Sequence, residues 1–331
     1  MQQRRLGQTG PLTSALGLGL MGMSDFYGSA DEGESIATIH AALEAGVTLL
    51  DTGDFYGVGH NESLLGRALQ QSSRREQAVV SLKFGALRDP SGGFIGYDNR
   101  PKSVKNFLAH SLQRLGLDHV DIYRPSRLDP EVPIEDTIGA IAELQQAGYV
   151  RHIGLSEVGV DTIRRAAATA PISDLQIEYS LLSRGIEDAI LPTVRELGIG
   201  VTAYGVLSRG LITGDWRRPE AGEFDFRAIS PRFQEGNVEH NLALAEALGA
   251  VAEARGITRA QAAIAWVAAQ GQDIVPLVGA RRRDRLRESL DALDVALSAE
   301  DLAAIERAVP KGAAAGGRYP AQQLAFMDSE R

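Results

Sequence analysis

A (β/α)8 TIM barrel of the α/β class is the architecture that this 331-residue chain predicts. Three observations carry it. Eight short β-branched or aliphatic runs alternate with amphipathic helical stretches. Several of those stretches stop on glycine, at Ala45-Gly46, Leu115-Gly116, Ala147-Gly148 and Leu197-Gly198, where a left-handed backbone ends a helix. Strand candidates such as Ala78-Val79-Val80-Ser81-Leu82 are nearly all apolar, as parallel strands covered on both faces should be.

In chain order, a strand at 15–20 leads to a helix near 34–45. Strands at 48–51, 78–83, 120–123 and 152–155 are followed by helices near 62–70, 102–115, 134–147 and 160–169. A strand at 175–177 precedes the helical pattern 186–197. A strand at 200–204 precedes two helices, near 242–254 and 259–269, and the last strand is expected at 274–278. Three stretches rich in Gly, Pro and charge, 86–100, 217–237 and 311–331, read as long loops; in a barrel enzyme such loops shape the substrate mouth at the carboxyl face. No linker interrupts this order, so residues 1–331 are expected to form one domain. The rival is a doubly wound dinucleotide-binding sheet. Gly17-Leu18-Gly19-Leu20-Met21-Gly22 has the G-x-G-x-x-G spacing, but the segment from Ser24 to Gly33 is turn-like where that fingerprint needs a helix.

Composition narrows the function. Charged residues at 23% and hydrophobic residues at 44% are ordinary for a globular protein. A net charge of -9 argues against a general nucleic-acid surface. The absence of cysteine removes disulfides, thiolate catalysis and Cys-based zinc sites. No pair of histidines or carboxylates has convincing metal spacing, so no metal is expected. No signal-peptide core follows Met1-Gln2-Gln3-Arg4-Arg5, and the longest apolar helical run, 262–269, is too short to span a bilayer. A soluble, cytoplasmic protein is the expectation; oligomeric state is not readable.

The chemistry concentrates in Leu50-Asp51-Thr52-Gly53-Asp54-Phe55-Tyr56-Gly57 and in Ser81-Leu82-Lys83-Phe84-Gly85. Asp51 closes the second predicted strand, Tyr56 lies in the loop after it, Lys83 closes the third, and Ser126 follows the fourth, so all four fall on one rim. An acid, a phenol and an amine that converge make a proton donor: a phenol with a pKa of about 10 is lowered by a neighbouring ammonium, and the carboxylate keeps that lysine charged. Taken singly, Asp51 could cap a turn, Tyr56 could pack in a loop and Lys83 could be a solvated rim charge. Arg124 and Arg127 flank Ser126; substrate binding and a strand-end salt bridge are equal readings for Arg124. A second signal is basic: Arg281, Arg282, Arg283, Arg285 and Arg287 follow Val278-Gly279-Ala280, where the last strand ends. A solvated helix face is the usual reading of such a run, but helix starts at this end of a barrel also bind phosphate.

With the strings Asp-Thr-Gly-Asp-x-Tyr-Gly and Asn61-Glu62-x-Leu64-Leu65-Gly66, the chain resembles the aldo-keto reductase family, its bacterial oxidoreductase branch in particular, along nearly its whole length. The resemblance implies the barrel, capped at its bottom by a hairpin from Arg4 to Ser14. It implies an NADPH-dependent enzyme that reduces aldehydes or ketones, with Tyr56 as proton donor, Lys83 and Asp51 as its partners, and NADPH/NADP+ as cofactor. The family's active-site histidine falls in Asp121-Ile122-Tyr123-Arg124-Pro125-Ser126-Arg127-Leu128-Asp129, where Ser126 stands instead. The resemblance places Gly19, Leu20 and Met21 beside the cofactor, Ser156 and Gln176 on the nicotinamide carboxamide, and Tyr204 against the ring. Leu207, Ser208, Gly210 and Leu211 would border the pyrophosphate. Gly279, Arg281 and Arg285 would face the adenosine 2′-phosphate, and Glu288 and Ser289 the adenine. Two other classes stay open: an NADP(H)-binding sensor or regulatory subunit with little turnover, and an aldolase-like barrel with a Schiff base on Lys83. An apolar pocket is expected from Phe26, Tyr27, Phe55, Phe84, Phe94 and Trp216.

Overall fold

The computed structural model describes residues 1–214, 216, 225–324 and 326–330. A hairpin of β1 (Gln3–Arg5) and β2 (Leu12–Ser14) comes first. Then follow β3 (Gly17–Gly19), α1 (Glu32–Glu44), β4 (Leu49–Gly53), α2 (His60–Gln70) and β5 (Val79–Phe84). A second hairpin, β6 (Ala86–Arg88) with β7 (Phe94–Tyr97), precedes α3 (Pro101–Leu115). The series continues with β8 (Val120–Pro125), α4 (Ile134–Gln146), β9 (Val150–Ser156), α5 (Val160–Thr169), β10 (Ile172–Glu178), α6 (Ile190–Glu196) and β11 (Gly200–Tyr204). It ends with α7 (Asn237–Ala254), α8 (Arg259–Ala269), β12 (Ile274–Gly279), α9 (Arg283–Asp291), α10 (Ala299–Ala308) and α11 (Ala321–Leu324). Eight strands pair in parallel as β3-β4-β5-β8-β9-β10-β11-β12 and close back on β3. The predicted (β/α)8 barrel is therefore the observed fold, and the doubly wound sheet is excluded.

The barrel forms because every residue of β4 and β10 is buried, leaving their backbones no partner but a neighbouring strand. The expected glycine stops are in place, with positive φ at Gly46, Gly116, Gly148 and Gly198. Another glycine serves packing: a Cβ on Gly66 would lie 2.5 Å from the Leu115 carbonyl oxygen, so α2 can approach the end of α3 only without one. The first hairpin plugs the amino end of the barrel. Leu6, wholly buried between its strands, joins Leu49, Ile122 and Val275, and Arg4 donates to the carbonyls of Ala268 and Gly271, both at 3.0 Å. Burying that leucine contributes about 1.5–3 kcal/mol.

Some boundaries differ from expectation for local reasons. The helix expected over 186–197 starts only at Ile190, with a 3-10 turn at Gly185–Glu187 before it. Pro192 has no N–H to give and is tolerated only in a first turn. The strand expected at 175–177 spans Ile172–Glu178, because Asp174 inside it finds a buried arginine. Of the long loops, 86–100 contains the β6–β7 hairpin and 311–331 contains α11, while 217–237 carries 3-10 turns at Phe226–Ile229 and Pro231–Phe233, its part 217–224 lying outside the described residues. Among the described residues no helix is long and apolar enough to cross a membrane.

Candidate active site

The carboxyl ends of the barrel strands enclose a cavity of about 760 Å³. Asp51 sits in the middle of β4 and Lys83 one residue before the end of β5; the two strands align Asp51 with Ser81 and Gly53 with Lys83. That register lets the ammonium reach the carboxylate, and Lys83 Nζ is hydrogen-bonded to Asp51 Oδ1 with both side chains buried. Asp51 Oδ2 accepts from Ser81 Oγ at 2.8 Å and from Gln176 Nε2 at 2.7 Å. Tyr56 enters from the turn after β4, packed edge-on against Phe55, its ring centroid 5.3 Å from Lys83 Nζ. Asn61 fixes that turn: wholly buried, it accepts from Thr52 Oγ1 at 2.7 Å and donates to the Leu20 carbonyl at 2.9 Å. Glu62 is ion-paired with Arg114, tying α2 to α3. The Asn61–Gly66 string is thus a frame for the rim rather than part of the cavity.

The electrostatics correct one expectation. A phenol lowered by Lys83 was expected; instead, burial and then the Asp51 charge hold Tyr56 well above the ordinary tyrosine range. Arg127 pulls the other way. Burial also lowers Lys83 from the usual lysine range, while Asp51 raises it back in part.

The cavity gathers most of the residues expected of it. Asp51, Tyr56, Lys83 and Ser126 line it, as do Gly19, Met21, Ser156, Gln176, Tyr204, Leu207, Gly210 and Gly279. Arg281, Arg285, Glu288 and Ser289 line its far end. Three expected residues do not line it. Leu20 and Leu211 are wholly buried in the core, and Ser208 turns its hydroxyl to Ser180, 3.3 Å away. The arginine run divides in two: Arg282 and Arg283 pair with Asp284 and Glu34 at the surface, while Arg281 and Arg285 face the cavity. Of the expected pocket aromatics, Phe84 is instead core, stacked on Tyr123 at 4.2 Å. Arg124 is a salt bridge: wholly buried, its Nη1 is 3.0 Å from Asp174 Oδ2, and its Nη2 donates to Ser81 Oγ at 3.0 Å. Among the described residues no cluster of His, Cys, Asp and Glu could hold a metal ion.

The residues fit a dinucleotide. Ser156 Oγ is buried at the end of β9 without a hydrogen-bond partner, a donor and acceptor that a carboxamide would satisfy. Gln176 spends its amide nitrogen on Asp51, which leaves its oxygen as the acceptor. Tyr204 presents a fixed ring, because its hydroxyl donates to Glu157 Oε1 at 2.7 Å and meets the Tyr319 hydroxyl at 2.8 Å. Arg318 in turn clasps Glu157 with Nη1 and Nη2 at 3.0 and 2.9 Å. Arg209, Arg318 and Tyr319 were not singled out from sequence. Arg318 and Tyr319 come from a segment remote in the chain, and the only signal for them was an unassigned loop.

The comparisons agree with this geometry. The aldo/keto reductase family profile matches residues 15–310. The chain is 39% identical over 321 residues to aldo-keto reductase yakc (NADP(+)) of Schizosaccharomyces pombe, covering 95% of this chain and 94% of that one. It is 40% identical over 322 residues to probable aldo-keto reductase 1 of Glycine max, covering 96% and 92%. Among solved structures, glycerol dehydrogenase AKR11B4 from Gluconobacter oxydans superposes with a TM-score of 0.84 at 30% identity over 92% of this chain and 94% of that one. The holo form of aldo-keto reductase AKR11C1 from Bacillus halodurans gives 0.77 at 27% identity over 93% and 96%.

Proposed function

We propose that this chain, which belongs to the aldo/keto reductase family, reduces aldehydes or ketones to alcohols at this cavity, with Tyr56 as proton donor. The family's chemistry is NADP-dependent carbonyl oxidoreduction, and NADPH is the cofactor. When bound, NADPH supplies the hydride that reaches the carbonyl carbon. Tyr56 gives its proton to the carbonyl oxygen, so that alcohol and NADP+ result and the phenol is later reprotonated from solvent.

The single observation that carries this reading is the buried Asp51–Lys83 pair beside Tyr56 on one cavity wall. Burial keeps the phenol protonated in the resting protein, as a donor must be. The ammonium acts on the phenolate left behind. At the 5.3 Å that separates Nζ from the ring centroid, and with an effective dielectric constant of about 20, unit charges attract by about 3 kcal/mol, an attraction that the Asp51 carboxylate paired with the ammonium opposes. Ser81 and Gln176 hold the lysine's partner, Asp51, in place. Ser156 and Gln176 would hold the carboxamide, Tyr204 would offer its face to the ring, and Arg281 and Arg285 would take the 2′-phosphate as planar, bidentate donors.

NADPH oxidation against a broad panel of aldehydes and ketones, repeated in reverse with NADP+ and alcohols, tests the reading. Turnover on members of the panel is expected. NADPH binding without oxidation on any carbonyl would favour a sensor instead. A Schiff base on Lys83 would need a free neutral amine, which the ion pair with Asp51 opposes; trapping of substrate on Lys83 by borohydride would reverse the ranking.

A further inference from the structure

Arg127 follows Ser126 at the end of β8 and lines the same cavity as Tyr56. Of the other arginines that line the cavity, Arg281 donates to the carbonyls of Tyr27 and Ser29, and four are spent on acids. Arg88 donates to Asp25 at 2.9 Å, Arg227 clasps Asp225, Arg285 bonds Glu288 at 3.0 Å, and Arg209 lies 3.7 Å from Glu178. Arg127 gives one hydrogen bond, from Nη1 to the carbonyl of Ser126 at 2.6 Å, and lies over the Tyr319 ring at 5.9 Å. Among the described residues no carboxylate comes within ion-pairing distance of it. Glu157 is close enough to stabilise its charge, but that carboxylate is saturated by Arg318, Tyr204, Ser329 and the Glu178 amide.

Next to Arg127 in the chain, Ser126 is 2% exposed and its Oγ has no hydrogen-bond partner. Two consecutive residues therefore present an unpaired cation and an unsatisfied hydroxyl to the cavity. Arg127 is half-buried, so its charge is partly taken out of water without a counter-ion, and a carboxylate matches its planar fork with two parallel hydrogen bonds. The barrel order places the strand that carries this cation. β8 lies beside β5 and its Lys83, and diametrically across the ring from β12, where the arginines for the cofactor phosphate begin. Arg127 is thus on the side of the proton donor rather than of the dinucleotide phosphates.

We propose that the carbonyl substrate bears a carboxylate, which Arg127 binds through its fork and Ser126 Oγ supports, so that the carbonyl end is held against Tyr56. The inference rests on the carbonyl-reductase reading and names its substrate class: aldehydes or ketones that also carry an acid group.

The test compares pairs of similar shape that differ in charge, at two reaches: para-carboxybenzaldehyde against para-methylbenzaldehyde, and succinic semialdehyde against pentanal. With NADPH and the wild-type chain, kcat/KM for the acid member of at least one pair should exceed that of its neutral mate by at least ~10-fold. Arg127→Met should collapse that ratio by at least ~10-fold, whatever rate change the two substrates share, and Arg127→Lys should restore part of it. A wild-type ratio at or below unity in both pairs, or an unchanged ratio in Arg127→Met, overturns the proposal. If no member of either pair oxidises NADPH, calorimetry decides: para-(hydroxymethyl)benzoate is titrated against para-methylbenzyl alcohol onto the protein with NADP+. Tighter binding of the acid that Arg127→Met abolishes upholds the anion site while the reductase reading fails; equal binding of the two sinks the anion site as well.

Discussion

Asp174→Asn takes one charge out of the barrel interior and leaves the shape of the side chain nearly intact. Arg124 and Asp174 are both wholly buried, with Nη1 3.0 Å from Oδ2, an approach that is close but poorly aligned for a hydrogen bond. Thr202 Oγ1 donates to the same carboxylate at 2.6 Å, a bond that an amide oxygen can still accept. The variant therefore leaves the guanidinium unpaired, in a place where Nε also lacks a partner. Breaking a buried pair from one side costs about 3–5 kcal/mol. With a urea slope of about 3 kcal/mol/M, the first unfolding midpoint should fall by roughly 1–1.7 M. The same change reaches the active site. Arg124 donates to Ser81 Oγ, and Ser81 Oγ donates to Asp51 Oδ2. Arg124 already pulls the Lys83 ammonium down, and without Asp174 that pull is uncompensated. A lysine of lower pKa loses its proton at lower pH, so the alkaline limb of the activity profile should move to lower pH. Equilibrium urea unfolding followed by fluorescence and circular dichroism measures the first effect. Removing both charges, as Arg124→Met with Asp174→Val, should return most of the lost stability. A single variant within ~1 kcal/mol of wild type, or a double variant no better than the single one, would refute the buried-pair reasoning.

Two further variants address the ends of the cavity. Ser126→His introduces a group that titrates near neutrality beside Tyr56 and should change kcat or substrate range by ~10-fold or more while NADPH binding stays close to wild type. Identical kinetics across an aldehyde and ketone panel would remove position 126 from the active site. Arg281→Ala combined with Arg285→Ala should weaken NADPH binding by ~10–100-fold and NADH binding far less, read by quenching of protein fluorescence. Equal weakening of both cofactors would contradict a 2′-phosphate role.

The fold was legible because strands such as 78–82 are apolar throughout and helix after helix ends on glycine, signals that local physics writes directly into sequence. Tyr56 and Lys83 were legible because they stand just after and near a strand end, where the barrel itself sets the rim, while Asp51, expected to close its strand, lies in the middle of Leu49–Gly53. Less was legible where a partner is remote in the chain. Asp174 is one of four polar residues in the wholly buried strand Ile172–Glu178, and nothing local says that Arg124 answers it. Arg318 and Tyr319 reach Glu157 and Tyr204 across more than a hundred residues, which no periodicity encodes. Phe84 alternates with Lys83 along β5, so the register that sends the lysine inward turns the ring outward, away from the cavity. The phenol's acidity was misjudged because sequence shows its neighbours and not the depth of its burial.

Tyr56→Phe tests the central claim most directly, because it removes one hydroxyl and leaves the ring packed against Phe55. Single-turnover oxidation of NADPH with a carbonyl that the wild-type chain reduces should slow by at least ~100-fold, while NADPH itself still binds. Near-normal turnover in that variant would show that the proton comes from elsewhere and would contradict the account.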